Sequence, residues 1–482
     1  MVDVVVAGAG PVGLWLACEL RVRGVDVLVL EPNAHISPFS KAFTVHPRTI
    51  EVLAQRGAAD ELLDRGHRVP NGHFGVLERR LEFSGLDTPF PYTVLFPQAD
   101  TERVLQARAL RLGAELRRGH RVASAEQNAD GVTVEVSGPE GTYRLDCRYL
   151  AGCDGTRSTV RETAGIGFHG TDSTVYGFLG DVELSAPPTG KPPPPGKKGL
   201  VMLVPIPSGG YRLVGVDPAR QNPAGRELPF EEFRETVVRI TGSDFGMHSP
   251  RWLSRFGNET RVAERYSKGR IVLAGDAAHM HFPAGGVGMN VGIQDAHALG
   301  WRLADLVDGL ADRSVLDDYH DERHRVGREL ARSTRAQTAL LCAFDDDRLA
   351  LRALLNDVIE SVPELESHLA EHLAGLSVAY PSSGGHPWVG RRLGALHTGP
   401  TADISARGGA ILFDPGNRFA DLEHDLAGRG IHHVHGPVPH AEPADRDVAL
   451  VRPDGYVRWA EAEPGSEALR AAIDAFRPSA SA

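Results

Sequence analysis

The chain has 482 residues, 41% of them apolar, and a formal net charge of −11. That length allows two or three domains with a substantial core, and an acidic balance without a basic stripe excludes the electrostatic footprint of nucleic-acid binding. Four cysteines without a Cys-x-x-Cys pair exclude a disulfide framework, and no eighteen-residue apolar run excludes a membrane-spanning helix, so a cytoplasmic protein is expected.

The apolar run Val4 to Val6 reads as a buried strand. It breaks into Gly8-x-Gly10-x-x-Gly13, with Pro11 and Val12 inside the turn, and an amphipathic helix follows at once, so this start is a folded strand rather than a signal peptide. The first glycine permits the tight turn, the second lets backbone N–H groups approach a pyrophosphate, and the third lets helix and strand pack closely. A second strand, Val25 to Leu30, ends in Glu31, whose carboxylate suits two ribose hydroxyls. Strand, glycines, helix, strand and acid in this order point to an adenine dinucleotide, and Glu31 argues against a 2′-phosphate.

A polar loop from Pro32 to Lys41 precedes a helix expected from Pro47 to Leu63. Lys41 and Arg48 suit either dinucleotide phosphates or a solvated surface. Strands are expected at Gly72–Leu81 and Val94–Phe96, then Gln98 and a helix from Thr101 to Leu112 capped by Asp100 or Thr101. A hairpin, Val132–Val136 with Tyr143–Leu145, leads to a short strand at Tyr149–Gly152 that closes in Asp154-Gly155-Thr156.

From residue 176 to 265 the texture changes to strands Gly177–Leu184, Leu200–Pro205 and Tyr211–Val216 with one helix, Phe230–Ile240, a mostly antiparallel lobe. The run Pro192 to Pro195 reads as an exposed polyproline loop. Ile271 to Ala274 is again a buried strand, closing in Gly275-Asp276. The loop Phe282 to Asn290 then makes a nest of N–H donors before a helix at Val291–Val307, and long helical patterns follow at 315–344 and 349–373. His279 and His281 lack a third ligand nearby, so no metal is expected, and no Gly-x-Ser-x-Gly elbow suggests a hydrolase. Ser-Ser-Gly-Gly-His-Pro at 382–387 marks a boundary before a small βα segment.

Gly8 to Gly13 with Glu31, Asp154-Gly155, and Gly275-Asp276 together resemble the single-component flavoprotein monooxygenases typified by para-hydroxybenzoate hydroxylase. The C-terminal segment extends the likeness to the subgroup of rifampicin monooxygenase and the aromatic polyketide hydroxylases, whose last domain is thioredoxin-like and lacks active cysteines. No cysteine follows Cys342 here. The resemblance implies an α/β protein: a Rossmann-like FAD-binding domain (residues 1–175 and 266–382), an inserted mixed-sheet substrate lobe (176–265) and a thioredoxin-like domain (383–482). Carried over, it implies that Glu31, Pro32 and Lys41 serve the adenylate half of FAD, and that Gln98, Val122, Asp154 and Thr156 line the site. Asp276 would meet the ribityl chain, and Pro283, Gly286, Gly288, Met289 and Asn290 would lie beside the isoalloxazine. The chain departs from the pattern at Val287, where relatives have Gln, at Lys41, where Arg is usual, and at Phe43, where rifampicin monooxygenase has a flavin-stacking Arg.

In that family NADPH or NADH reduces the flavin, dioxygen adds at its C4a atom, and the resulting hydroperoxide transfers one oxygen to the substrate. The expected partners are an aromatic or polyketide-like small molecule and dioxygen, with neither nucleic acid nor membrane and with room for a homodimer. No catalytic acid or base is named by the residues themselves. Competing readings are Baeyer–Villiger oxygenation, a flavin reductase, and a flavoprotein that only sequesters an antibiotic.

Overall fold

Val4, Val5 and Val6 are wholly buried because β1 (Val2–Ala7) is flanked on both sides within the central sheet. β2 (Val27–Glu31) lies parallel to it with Ala7 opposite Leu30, and β3 (Glu115–Arg118) continues beyond β2. On the other side, β4 (Arg121–Gln127), β5 (Val132–Gly138) and the first half of β6 (Gly141–Gly152) form an antiparallel meander. The second half of β6 then runs parallel to β1, with Ala7 opposite Gly152. The structure, a computed structural model, describes residues 1–189, 194–206, 209–381, 385–394, 396–436 and 447–477. Part of the proline run and part of the 382–387 boundary therefore lie outside the described residues.

α1 (Pro11–Val22) begins with proline at its first turn and packs on β1 and β2. α2 (Pro47–Gln55) ends earlier than expected: Gly57, at φ +62°, turns the chain before a separate short helix, Asp60–Arg65. The expected strand at 72–81 is instead a two-residue pairing of Asn71–Gly72 with Leu81–Glu82 around a turn. α3 (Gln98–Arg111) starts three residues early, after Pro97, so Asp100 and Thr101 sit inside its first turn rather than at its cap.

The lobe holds β7 (Tyr176–Leu184), β8 (Leu200–Pro205), β9 (Tyr211–Val216), α4 (Phe230–Thr241) and β10 (Met247–Gly257). Its sheet runs β8-β9-β7-β10 with antiparallel pairs only; the mixing of directions belongs to the central sheet. One face packs on α4 through Phe178, Val182, Val201, Leu213, Phe233 and Val237. The chain re-enters the central sheet as β11 (Ile271–Leu273), parallel to β6. α5 (Gly288–Asp308) and α6 (Ser314–Leu341) follow, and the last expected helix is divided by Pro363 into α7 (Asp346–Ser361) and α8 (Pro363–Ala374).

The C-terminal sheet runs β13 (Ile431–Val434), β12 (Ala410–Phe413), β14 (Asp447–Val451) and β15 (Val457–Ala462), closed by α9 (Ser466–Phe476). It docks through buried arginines. Arg48 and Arg56 of the first domain donate to the carbonyls of Asp454 and Pro453 at 2.9 and 3.0 Å. Arg477 grips Asp305 of α5 with two bonds of 2.8 and 2.9 Å, both side chains fully buried. Removing one partner of a buried pair strands the other charge. Asp305→Ala should therefore destabilise the protein by about 3–5 kcal/mol, read as a lowered urea midpoint. An unchanged midpoint would show that this clasp holds nothing.

Candidate active site

A cradle for a dinucleotide forms where β1, β2, β6 and β11 end together, since the turns after parallel strands share one edge of the sheet. Gly8 has φ +100°, and a Cβ there would stand 2.4 Å from the Cys153 carbonyl oxygen. A Cβ on Gly13 would stand 2.0 Å from the Gly8 carbonyl oxygen, whereas around Gly10 the space is open. Tight turn, close packing and room for a ligand thus fall to three different glycines. α1 has no side-chain cap, so the N–H groups of Val12 and Gly13 in its first turn face that room, Pro11 having none to offer.

Glu31 is buried, with Oε2 accepting from the Ala9 amide at 2.8 Å and Oε1 accepting from the Asn33 amide at 2.9 Å and side chain at 2.6 Å. It braces the glycine turn from the end of β2, beside the half-buried Pro32. Gln98 Oε1 accepts from the Ala42 amide at 3.1 Å and so fastens the exposed Lys41 segment. Val122 is buried opposite Val136. Asp154 accepts from the Ser158 hydroxyl at 2.5 Å and the Val160 amide at 3.1 Å, and burial raises its pKa. The Thr156 carbonyl accepts from Arg161 at 3.0 Å. Asp276, by contrast, is exposed in the turn Gly275–Ala277, free to meet a polyol.

Pro283 opens a short turn in which Gly285 and Gly286 have φ of +71° and +65°. Both carbonyls are tied back toward α2. Thr44 Oγ1 donates to Gly286 at 2.9 Å, and Asn290 Nδ2 donates to Gly286 at 3.0 Å and Thr44 at 2.9 Å. His46 Nε2 lies 2.9 Å from the Gly285 oxygen, and its Nδ1 lies 2.9 Å from the Thr93 hydroxyl. A carbonyl only accepts, so His46 carries its proton on Nε2 and takes a hydrogen bond from Thr93 on Nδ1. With the carbonyls drawn away, the N–H groups of Gly288, Met289 and Asn290 at the start of α5 keep no intrahelical acceptor. Donors at a positive helix end suit the negative charge of a reduced flavin. The open space at Gly10, these donors and the exposed Asp276 together fit FAD.

The second face of the lobe sheet looks toward this loop. Leu200 and Val216 pack with Phe282, Ala284 and Leu341, while Met202, Phe256, Val76 and Phe344 stand half-buried around them. Phe256 and Phe282 meet with ring centroids 5.2 Å apart, where lobe and loop touch. The wall is apolar, with few polar anchors.

Two expectations change here. Arg48 cannot reach a phosphate: it is buried between Glu51, at 2.9 Å, and the Asp454 carbonyl. Asn290 has its whole side chain engaged by backbone, with Oδ1 accepting from the His46 amide at 2.8 Å, so toward the cofactor it offers its own N–H. Residues the sequence reading passed over include His46, Thr93 and Arg212. Arg212, held by Asp181 at 2.7 and 2.8 Å, stacks its guanidinium 4.3 Å over Phe43. The His-Pro-Arg-Thr start of α2 was the visible signal for His46; nothing local marked Arg212.

Glu31→Ala should weaken FAD binding tenfold or more, the loss of about 1.5–3 kcal/mol expected for a hydrogen bond to a charged group, read by titrating apoprotein. A second outcome concerns acid. Burial pushes the His46 pKa down to about 4 against the pull of the Gly285 carbonyl, while an unfolded histidine titrates near about 6.5. The unfolded chain binds the extra proton, so this contribution is whole above about pH 6.5 and lost as pH falls toward 4, about 3 kcal/mol in all. His46→Gln should flatten that part of the stability–pH curve; an equally steep fall in the variant would place the acid sensitivity elsewhere.

Residues 1–334 match the family described as FAD binding domain, and residues 386–477 match the aromatic-ring hydroxylase C-terminal family. The chain is 41% identical to 12-dehydrotetracycline 5-monooxygenase/anhydrotetracycline 6-monooxygenase of Streptomyces rimosus, over 98% of each chain. It is 40% identical to rifampicin monooxygenase of Streptomyces venezuelae, over 95% of this chain and 96% of the relative. The solved anhydrotetracycline hydroxylase of Streptomyces rimosus superposes with a TM-score of 0.90 at 39% identity, covering 99% of both chains. With an FAD cradle, a lobe facing it and a C-terminal domain without thiols, the chain belongs to the FAD-dependent aromatic-ring hydroxylases, the flavoprotein monooxygenases.

Proposed function

We propose that this protein inserts one oxygen atom from dioxygen into a multi-ring phenol or quinone of the polyketide type, with NADPH or NADH as a transient reductant. The observation that carries the reading is the apolar seam where Leu200, Val216 and Phe256 of the lobe meet Phe282 and Ala284 of the loop before α5. A wide, flat, largely apolar ligand suits such walls, and the oxygenated antibiotics named for the relatives are of that kind. Bound FAD, once reduced, supplies activation of dioxygen and an electrophilic oxygen.

The chain's own residues bind, orient and exclude water. Glycines 8 to 13 and Glu31 hold the adenylate half, Asp276 the polyol, and the N–H groups of Gly288 to Asn290 receive negative charge at the ring. Thr44, His46 and Asn290 keep those donors aimed, and the Phe256–Phe282 contact adds apolar cover beside the loop. The division at about residues 175, 265 and 382 goes with this reading: the antiparallel sheet from Tyr176 to Gly257 and the sheet from Ala410 onward each carry their own hydrophobic cluster. Four free cysteines, none paired, support a reducing cytoplasm.

Turnover of polycyclic phenols under oxygen-18 gas tests the proposal. Product one labelled oxygen heavier is expected; label arriving only from water, or consumption of reductant with no oxygen gain across the panel, would leave the reductase reading.

A further inference from the structure

His281 lies in sequence between the turn that presents Asp276 and the first turn of α5, and its ring is half-buried. Its Nδ1 stands 2.7 Å from the Phe282 carbonyl oxygen. A carbonyl only accepts, so Nδ1 carries the proton and Nε2 holds a lone pair. Burial outweighs the pull of that carbonyl and of Asp276, keeps the imidazole pKa below its ordinary value, and leaves the ring neutral at pH 7. Nε2 has no hydrogen-bond partner among the described residues, and its neighbours do not seal it in. A neutral acceptor is thus left open beside the cofactor loop.

Gly288 shows where that lone pair stands. Its φ is not positive, so its backbone does not call for glycine. Its side-chain space is taken instead: a Cβ there would come within 3.1 Å of His281 Nε2 and 3.4 Å of Cε1. The Cα–Cβ bond of a helical residue tilts toward the helix N-terminus, so the imidazole edge sits at the start of α5, beside the amides that keep no intrahelical acceptor. Asp276 is near as well, since its carboxylate pulls the imidazole toward its charged form. The site therefore offers donors from α5 and acceptors from Asp276 and His281. FAD presents the complement, acceptors on its ring and hydroxyl donors along its ribityl chain. We propose that His281 is a further cofactor-binding residue: its Nε2 accepts a hydrogen bond from a ribityl hydroxyl of FAD, and Gly288 is the clearance that lets the imidazole stand there. This rests on the FAD site described above.

The experiment titrates full-length apoprotein of the parent, His281→Phe and His281→Gln with FAD and, separately, with ADP. Phenylalanine keeps a flat ring but removes the acceptor, whereas glutamine returns an acceptor oxygen close to the place of Nε2. His281→Phe should bind FAD about fivefold or more weakly than the parent, the scale of one hydrogen bond between neutral groups. Its affinity for ADP should stay within about twofold of the parent, because ADP meets only the half of the cradle formed by Gly8 to Gly13 and Glu31. His281→Gln should bind FAD about threefold or more tightly than His281→Phe. Parental FAD affinity in His281→Phe, no gain on going to His281→Gln, or ADP affinity that falls in step with FAD in either variant would overturn the proposal. If the parent apoprotein takes up no FAD, the cofactor site itself fails and this contact with it, an outcome distinct from a parent that binds FAD and a variant that binds it equally well.

Discussion

The carboxylate of Asp295 is the point on which the flavin site hangs. It lies fully buried on α5, and its oxygens receive the Gly275 amide at 3.1 Å, His279 Nε2 at 2.7 Å and Arg323 Nε at 2.7 Å. Burial alone would raise its pKa, but Arg323 and His279 outweigh that and hold the carboxyl below its usual range. One side chain therefore joins the turn that presents Asp276, the strand leading to the glycine loop, and helix α6. Arg323 passes the connection on to the Tyr380 hydroxyl at 3.1 Å. A charge in so dry a place is stable only with its partners in position, which makes the three elements one unit.

Local chemistry was legible in the sequence, and distant partners were not. Gly13 and Glu31 act within one strand–helix–strand unit, against the Gly8 carbonyl and the Ala9 amide, so their spacing pointed to a dinucleotide. Arg48 shows the opposite case: near the dinucleotide in sequence, it faces a carbonyl 406 residues away. No pattern within α2 distinguishes a phosphate-seeking arginine from one that anchors another domain. Phe43 was recognised as a departure, yet the guanidinium now stacked on it comes from β9 of the lobe. The boundaries of α2, α3 and the α7–α8 pair moved because Gly57, Pro97 and Pro363 decide where hydrogen-bond ladders stop, while apolar periodicity runs past them. The single strand β6 was read as two because its pairing partners, and with them its burial pattern, change halfway along.

The C-terminal domain has a role that needs no thiol. Arg452 binds Glu322 at 2.5 Å and Asp454 at 2.5 Å, Trp301 donates to Asp454 at 3.0 Å, and Arg392 reaches Glu51 at 3.0 Å. These contacts reach α2, α5 and α6, and the first two of those helices carry His46 and Asn290 at their starts. The domain thus backs the flavin loop from behind, where a change in packing would shift the loop without touching the cofactor.

That backing comes from residues about 400 positions further along the chain. Arg56 donates to Ser405 at 2.6 Å and to Pro453 at 3.0 Å, and Arg48 to Asp454, so these two arginines, paired early with Glu19 and Glu51, gain their carbonyl acceptors only when the later domain has been made. At about 5–20 residues per second the interval is about 20–80 s. The nucleotide domain cannot close vectorially behind the ribosome as an independent first domain would. Until then α2 is without the carbonyl contacts that fasten it to the later domain.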